Sequence, residues 1–228
     1  MDIRERLNTV LETIDSACRR AGRSPNEIQL VAVSKRIDID RMREGIEAGI
    51  RIIGENRVNE ACKKYQQLGN RVEWHFVGHL QTNKVKRCLQ FADLIESVDS
   101  MRLAQEISRR AGAMDRSIDV FAEVNTSGEM SKFGLSPEKV IDDVVEMARL
   151  PNIQVTGLMT VAAFVEDAEQ VRPSFRLLRE LRDRINSRHV SGLTIKYLSM
   201  GMSNDYPVAV EEGATHVRIG QAVFGPRE

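Results

Sequence analysis

Along the chain, short aliphatic runs alternate with stretches in which apolar residues recur every three or four positions. The first such stretch, Asp2 to Arg20, sets Ile3, Leu7, Val10, Leu11, Ile14 and Cys18 on one stripe, with Gly22 as a stop signal. It predicts an amphipathic helix over residues 2–21. After Pro25 the period changes. Strands are predicted at Leu30–Val33, Ile50–Ile53, Trp74–Val77, Leu94–Val98, Ile118–Val124, Ile153–Met159, Thr194–Leu198 and His216–Ile219. Helices are predicted between them at Asp40–Ala48, Val58–Leu68, Asn83–Gln90, Met101–Ala113, Pro137–Leu150, Ser174–Ser187 and Pro207–Glu212.

Eight strands separated by helices predict an α/β fold, a closed (β/α)8 barrel of TIM type with an extra N-terminal helix. An open doubly wound sheet is the rival, and eight units fit closure more directly. No low-complexity linker divides the 228 residues, so one domain is expected, its barrel spanning about residues 28–225.

Composition narrows the function classes. Lys and Arg number 33 against 33 Asp and Glu, a formal net charge of zero, so the cationic surplus that binds nucleic acid is missing. No run of about 18 apolar residues predicts a membrane-spanning helix. The start, Met1-Asp2-Ile3-Arg4-Glu5-Arg6, lacks the apolar stretch of a signal peptide. Cys18, Cys62 and Cys88 are odd in number and without a C-x-x-C pair. Neither a disulfide framework nor a zinc site is expected, and a cytoplasmic location is. The cysteines fall in helical segments as small apolar groups. Aromatic residues make up only 5% of the chain, so the core must be aliphatic, as in the branched layers of a parallel barrel.

Candidate chemistry gathers just past the strand ends, at Ser34-Lys35, Glu55-Asn56, His79, Asn125, Thr160, Ser199 and Arg218. In a barrel these ends open onto one rim, where active sites are built. Loop starts are polar in any protein, but that accounts poorly for a lysine directly after an apolar strand. A lysine is ordinarily a solvated surface residue. At a barrel mouth, desolvation would lower the pKa of Lys35 and raise its neutral, nucleophilic fraction, the condition for Schiff-base formation with a carbonyl.

The stretch Ser199-Met200-Gly201-Met202-Ser203-Asn204-Asp205 follows the seventh strand, and Arg218-Ile219-Gly220-Gln221 closes the eighth. Loops after strands seven and eight are the frequent phosphate site of this architecture. Gly201 and Gly220 let backbone N–H groups approach an anion, and Ser199 and Ser203 add hydroxyl donors. Glycines more commonly make plain turns; two such loops at the two expected positions favour a cradle. A lysine on the first strand plus this cradle describes a site for a phosphorylated aldehyde, with pyridoxal 5′-phosphate the leading candidate. His75 and His79 lie on and beyond a strand with no third ligand, so no metal is expected. His189 and His216 read as structural or surface residues. Lys84, Lys86 and Arg87 read as a solvated helix face.

These residues carry a resemblance. The stretches Val33-Ser34-Lys35, Gly54-Glu55-Asn56-Arg57, His75 to Lys84, Val124 to Glu129, Gly157-Leu158-Met159-Thr160, Ser199 to Asp205 and Arg218 to Gly225 together resemble the pyridoxal phosphate homeostasis protein family. The fold of that family is similar to the N-terminal barrel of alanine racemases. The chain departs from the pattern at Ala163, where proline is expected. The resemblance implies that Lys35 carries the cofactor as an internal aldimine and that Arg218 faces the pyridine nitrogen. It also implies that Ser199, Gly201, Met202, Ser203, Gly220 and Gln221 surround the phosphate, with Asn56 and Met159 near the ring. It implies no catalytic residue.

Two functions compete. One is a carrier that holds pyridoxal phosphate for intracellular homeostasis, with cofactor-dependent apoenzymes as partners. The other is an amino-acid racemase, which needs a base on each face of the bound substrate. In alanine racemases the second base is a tyrosine from a further domain, and this chain ends at Glu228, shortly after Ile219. Of its tyrosines, Tyr65 falls on a helix, Tyr197 in a strand and Tyr206 in a rim loop. The carrier is the expected function, racemase activity at most residual, and a monomer the expected state. A Schiff-base aldolase is a remote third, because its lysine sits more usually on a later strand.

Overall fold

In the computed structural model, which describes residues 2–129 and 131–226, eight parallel strands close into a barrel in sequence order. They are β1 (Gln29–Val33), β2 (Ile52–Glu55), β3 (Glu73–Phe76), β4 (Leu94–Val98), β5 (Ile118–Glu123), β6 (Ile153–Met159), β7 (Tyr197–Ser199) and β8 (His216–Ile219). The helices are α1 (Ile3–Ala21), α2 (Ile39–Ala48), α3 (Val58–Leu68), α4 (Val85–Cys88), α5 (Met101–Gly112), α6 (Val140–Met147), α7 (Arg172–Asn186), α8 (Tyr206–Glu211) and α9 (Gln221–Phe224). Closure is made where β8 pairs with β1, from Gln29–His216 to Ala32–Ile219.

Helix α1 starts at a reciprocal cap, in which the Asp2 carboxylate accepts from the Glu5 amide and the Glu5 carboxylate accepts from the Asp2 amide. It ends at Gly22, with φ of 65°. Its buried face packs outside the barrel against α2, α8 and α9. Leu11, expected on that face, is 46% exposed, because its angular position falls at the edge of the stripe, past Cys18.

Side chains alternate across each strand, and the two faces differ in chemistry. Outward residues such as Ala32, Ile53, Trp74, Ile95, Ala122, Leu158, Leu198 and Ile219 join the helices in one large aliphatic core. Inward, Leu94, Phe121 and Met159, with Val161 and Tyr197 against them, form a small separate apolar cluster, and Val31 and Ile52 add buried aliphatic side chains to the same face by alternation with Ala32 and Ile53. Gly157 makes room there, since a Cβ would lie 2.6 Å from the Phe121 ring. Polar residues share the interior with them: His75, Glu96, Glu123, Ser199, His216 and Arg218 are all buried. Aliphatic layers filling the barrel are therefore corrected to an interior that mixes polar and apolar side chains inside an aliphatic shell.

Several element boundaries also differ. Strand β2 runs from Ile52 to Glu55 rather than Ile50 to Ile53, which puts Glu55 inside the strand instead of past its end. Strand β7 begins at Tyr197 rather than Thr194, because the Asn186 side chain bonds both the N–H and C=O of Ile195 and takes that residue out of the ladder. Helices α4 and α6 are shorter than expected, and α9 adds an element absent from the sequence reading. His216, read as structural or surface, is buried among Tyr197, Phe121 and His75 rings, whereas His189 is exposed. Tyr206 is the first residue of α8 and is buried, not in an open rim loop.

Candidate functional site

At the C-terminal rim a cavity of about 470 Å³ opens among the ends of β1, β2, β3, β6, β7 and β8, within the size range of small-molecule sites. Seven of the ten predicted site residues line it: Lys35, Asn56, Met202, Ser203, Arg218, Gly220 and Gln221. The other three lie behind the lining. Met159 packs in the inner apolar cluster below. Gly201 sits behind the turn that presents Met202 and Ser203. The Ser199 hydroxyl, expected as a phosphate donor, is committed to Arg218 and Glu96 under the floor.

The sequence brings the β7 and β8 ends together through backbone geometry. Gly201 has φ of 93°, and a Cβ there would come within 2.6 Å of Ala209 Cβ and 2.9 Å of Tyr206 Cα. Its carbonyl accepts from the Arg218 amide at 2.9 Å, tying the two loops. The Asp205 carboxylate accepts from the Met202 amide at 2.6 Å and pins the turn; burial pushes this carboxyl above the usual aspartate range. Among the described residues, no hydrogen-bond partner meets the N–H groups of Ser203, Asn204, Gly220 and Gln221. Free amides gathered at one cavity wall form an anion cradle. The Asn56 Oδ1 atom is also buried without a partner among the described residues.

Beneath the cavity the charges are ordered in a line. Arg218 donates to Ser199 Oγ and, at 2.7 Å, to the Thr160 carbonyl. Glu96 Oε1 meets His75 Nδ1 at 2.6 Å, and His75 Nε2 meets Glu73 at 2.9 Å. Burial drives the His75 imidazole toward neutrality, but the two carboxylates outweigh it and raise its pKa to about 9. Burial likewise works against the Glu96 anion, and the hydrogen bond and charge of His75 bring its pKa down to about 2. His216 next to them goes the other way, to about 4, because burial dominates. Glu123 is raised to about 7 by burial and by Asp99, against the pull of Arg218. Burial also lowers the Arg218 pKa, with Glu96 opposing.

An apolar lip completes the cavity. Val161, Ala163, Val165 and Ala168 line it, and Phe164 stands 86% exposed among them. The lip and the interior charges other than Arg218 were not among the predicted site residues. Their sequence signals were an apolar loop after β6 and carboxylates inside strands buried on both faces. His75 and His79, four apart, have separate partners, Glu96 with Glu73 and Asp99 respectively.

The family model for the alanine racemase N-terminal domain matches residues 8–228. The chain is 46% identical over 229 residues to the pyridoxal phosphate homeostasis protein of Aquifex aeolicus, covering all of both chains. The human pyridoxal phosphate homeostasis protein is 39% identical, with 97% of this chain and 86% of that one covered. This chain belongs to the pyridoxal phosphate homeostasis protein family. Among solved structures, PipY of Synechococcus elongatus with PLP bound superposes with a TM-score of 0.85 at 33% identity, over 98% of this chain and all of that one. Alanine racemase of Clostridium difficile superposes at 0.75 with 17% identity, over 97% of this chain and 56% of the racemase, a likeness of fold. No helix among the described residues is long and apolar enough to cross a membrane.

Proposed function

We propose that this chain is a pyridoxal 5′-phosphate-binding protein of cofactor homeostasis, in which Lys35 takes the cofactor's aldehyde as a Schiff base with release of water. The observation that carries this reading is one cavity holding both a lysine and four unpartnered backbone amides. PipY, similar to this chain over nearly its whole length, has been solved with PLP bound. In the proposed arrangement Ser203, Asn204, Gly220 and Gln221 hold the phosphate through their amides, with Gly201 and Met202 shaping the turn. Asn56 offers its free Oδ1 to a donor on the ring, Arg218 faces the ring nitrogen, and Met159 and Ser199 support the floor.

Bound cofactor of this kind supplies an electron-withdrawing ring. Arg218 works against that chemistry. Its permanent positive charge disfavours protonation of a neighbouring pyridine nitrogen and leaves the ring a weaker electron sink. Of the lining residues, Lys35 is the sole amine and none is a tyrosine. Both features favour a carrier that releases its cofactor to apoenzymes over a catalyst. The three cysteines are free, in keeping with a cytoplasmic place of work.

The test is loading with pyridoxal phosphate. The expected product is a yellow protein whose visible absorbance disappears on borohydride reduction, with the mass increment on the peptide containing Lys35. Lys35→Ala is expected to lose the covalent link and keep weaker, phosphate-dependent binding. A parent protein that stays colourless after loading overturns the reading.

A further inference from the structure

We infer that Lys64 is a positioning residue for Lys35, acting through the backbone on both sides of it. The inference rests on the reading of Lys35 as the residue that takes the aldehyde.

Lys64 lies on α3, behind the ends of β1 and β2, with its side chain only 7% exposed. An ammonium has three donors, and here each has an acceptor. They are the Ser34 carbonyl at 2.6 Å, Glu55 Oε1 at 2.7 Å and Glu60 Oε1 at 2.7 Å. The same two carboxylate oxygens hold the chain around Lys35. Glu55 Oε1 accepts from the Ser34 hydroxyl at 2.5 Å, and Glu60 Oε1 accepts from the Arg36 amide at 2.6 Å. Ser34 and Arg36, the neighbours of Lys35 in sequence, are thus fixed to one buried ammonium directly or through a single carboxylate.

The backbone needs such a fixture. Arg36 has φ of 61°, a left-handed conformation that a side chain with a Cβ rarely adopts. The Ile37 amide donates to the Ser34 carbonyl at 2.9 Å, so the chain reverses within a tight turn straight after β1. Lys35 sits inside that turn and lines the cavity. A chain leaving β1 in extended form would carry residue 35 past the mouth.

Stability alone is a poor account of the cluster. Holding a buried ammonium against the fully buried Glu55 carboxylate, with Glu60 partly exposed beside them, brings a desolvation cost that the attraction barely repays. Glu55 shows the cost, since burial raises its pKa against the pull of Lys64 and its Oε2 is left without a partner among the described residues. What the cluster supplies is a single path for residues 34–36. Positioning of a reacting group within a fraction of an ångström is worth large factors in rate.

The experiment compares the parent with Lys64→Met and Glu60→Ala, the second cutting the tie to Arg36 and one of the three contacts of Lys64, and leaving its contacts to Ser34 and Glu55. Two quantities are measured on the folded proteins. One is the affinity for pyridoxine 5′-phosphate, an alcohol with no aldehyde, read by calorimetry. The other is the rate of covalent capture of pyridoxal phosphate, read by absorbance, with the labelling of apo Lys35 by acetic anhydride followed by mass spectrometry. In Lys64→Met, affinity for the alcohol is expected to stay close to the parent's while capture slows about tenfold or more and the labelling rate of Lys35 changes. Glu60→Ala is expected to slow capture by a smaller factor, and it carries the test alone if Lys64→Met fails to fold. Capture at the parent rate in a folded variant overturns the inference. So does a parallel loss of affinity and capture, which marks a merely structural role. A parent that captures nothing overturns the functional reading instead.

Discussion

Arg218 and Glu96 meet through a single hydroxyl: Arg218 Nη1 donates to Ser199 Oγ at 2.5 Å, and Ser199 Oγ donates to Glu96 Oε2 at 2.5 Å. Both charges are buried, and Glu96 is also the partner of His75. Glu96→Gln keeps the shape and leaves a buried guanidinium and a buried imidazolium short of an anion. It is expected to lower the unfolding free energy by about 3–5 kcal/mol, measured by urea denaturation. Ser199→Ala removes the bridge but neither charge and is expected to cost about 1–3 kcal/mol. Equal effects from the two substitutions would contradict charge balance as the cause.

The interior charges also set how stability varies with pH. The folded-state pKa of His75 is raised from 6.5 to about 9, so its contribution is full below pH 6.5 and lost as pH rises through 9. The Glu123 pKa is raised from 4.5 to about 7. A carboxyl raised in the folded state favours folding while neutral, so that contribution is lost as pH climbs from 4.5 through 7. The two act in the same direction. His216, lowered from 6.5 to about 4, opposes Glu123 where their windows overlap, because the fold keeps its neutral form and its contribution is lost as pH falls from 6.5 through 4. Stability is expected to change little between about pH 4.5 and 6.5 and to fall from about pH 6.5 to pH 9, and Glu123→Gln is expected to turn the level part into a rise with pH. On the acid side, Glu96 works oppositely: its stabilisation is present above pH 4.5 and lost toward pH 2. Chemical denaturation across pH, with NMR titration of the His75 and His216 rings, checks the assignments.

The strands were legible because a barrel strand packed against helices must show the helices an aliphatic face, and residues such as Ile53, Ile95 and Ile219 do. What the strands hide is the other face. Glu96 and His75 stand alternately among apolar neighbours, and a strand pattern of mainly apolar residues absorbs one polar residue without signalling that five strands place theirs together. Ser199 was legible as a polar strand end, but its commitment to Arg218 depends on the β7–β8 pairing, which no local stretch encodes. Lys35 was legible because nothing but a rim position suits a lysine at the end of an apolar run. The Asn186 side chain that shortens β7 belongs to a helix and left no mark on the strand.

Gly201 offers a test of the anion cradle that leaves every charged group in place. Alanine there meets both a positive φ and a collision with Ala209 Cβ and the Tyr206 backbone. The backbone cannot give way cheaply, because Tyr206 and Ala209 belong to the helix whose first turn is bonded to Met202 and Asp205. Gly201→Ala is expected to cost about 1–3 kcal/mol of stability. It is also expected to weaken binding of inorganic phosphate, by moving the Ser203 and Asn204 amides, with Lys35 untouched. Calorimetry with phosphate alone separates the two effects. Unchanged phosphate affinity would remove Gly201 from the cradle.

The carrier and racemase readings part on proton transfer. Inverting an α-carbon needs one group to take the proton from one face and a second to return it from the other. Lys35 supplies one such group in the cavity. The other lining residues that ionise are Asp205, held by the Met202 amide, and Arg218, which stays protonated under any condition of assay. Tyr206, nearest in sequence to the cradle, is turned into the packing of α8 and buried. Loaded protein incubated with single L-amino acids is therefore expected to exchange the α-proton slowly at most and to form no D-enantiomer at enzyme-like rates, as followed by chiral chromatography. Rapid racemisation would require a second base that the described cavity does not present, and Arg218→Ala would then be expected to raise the rate by relieving the ring nitrogen.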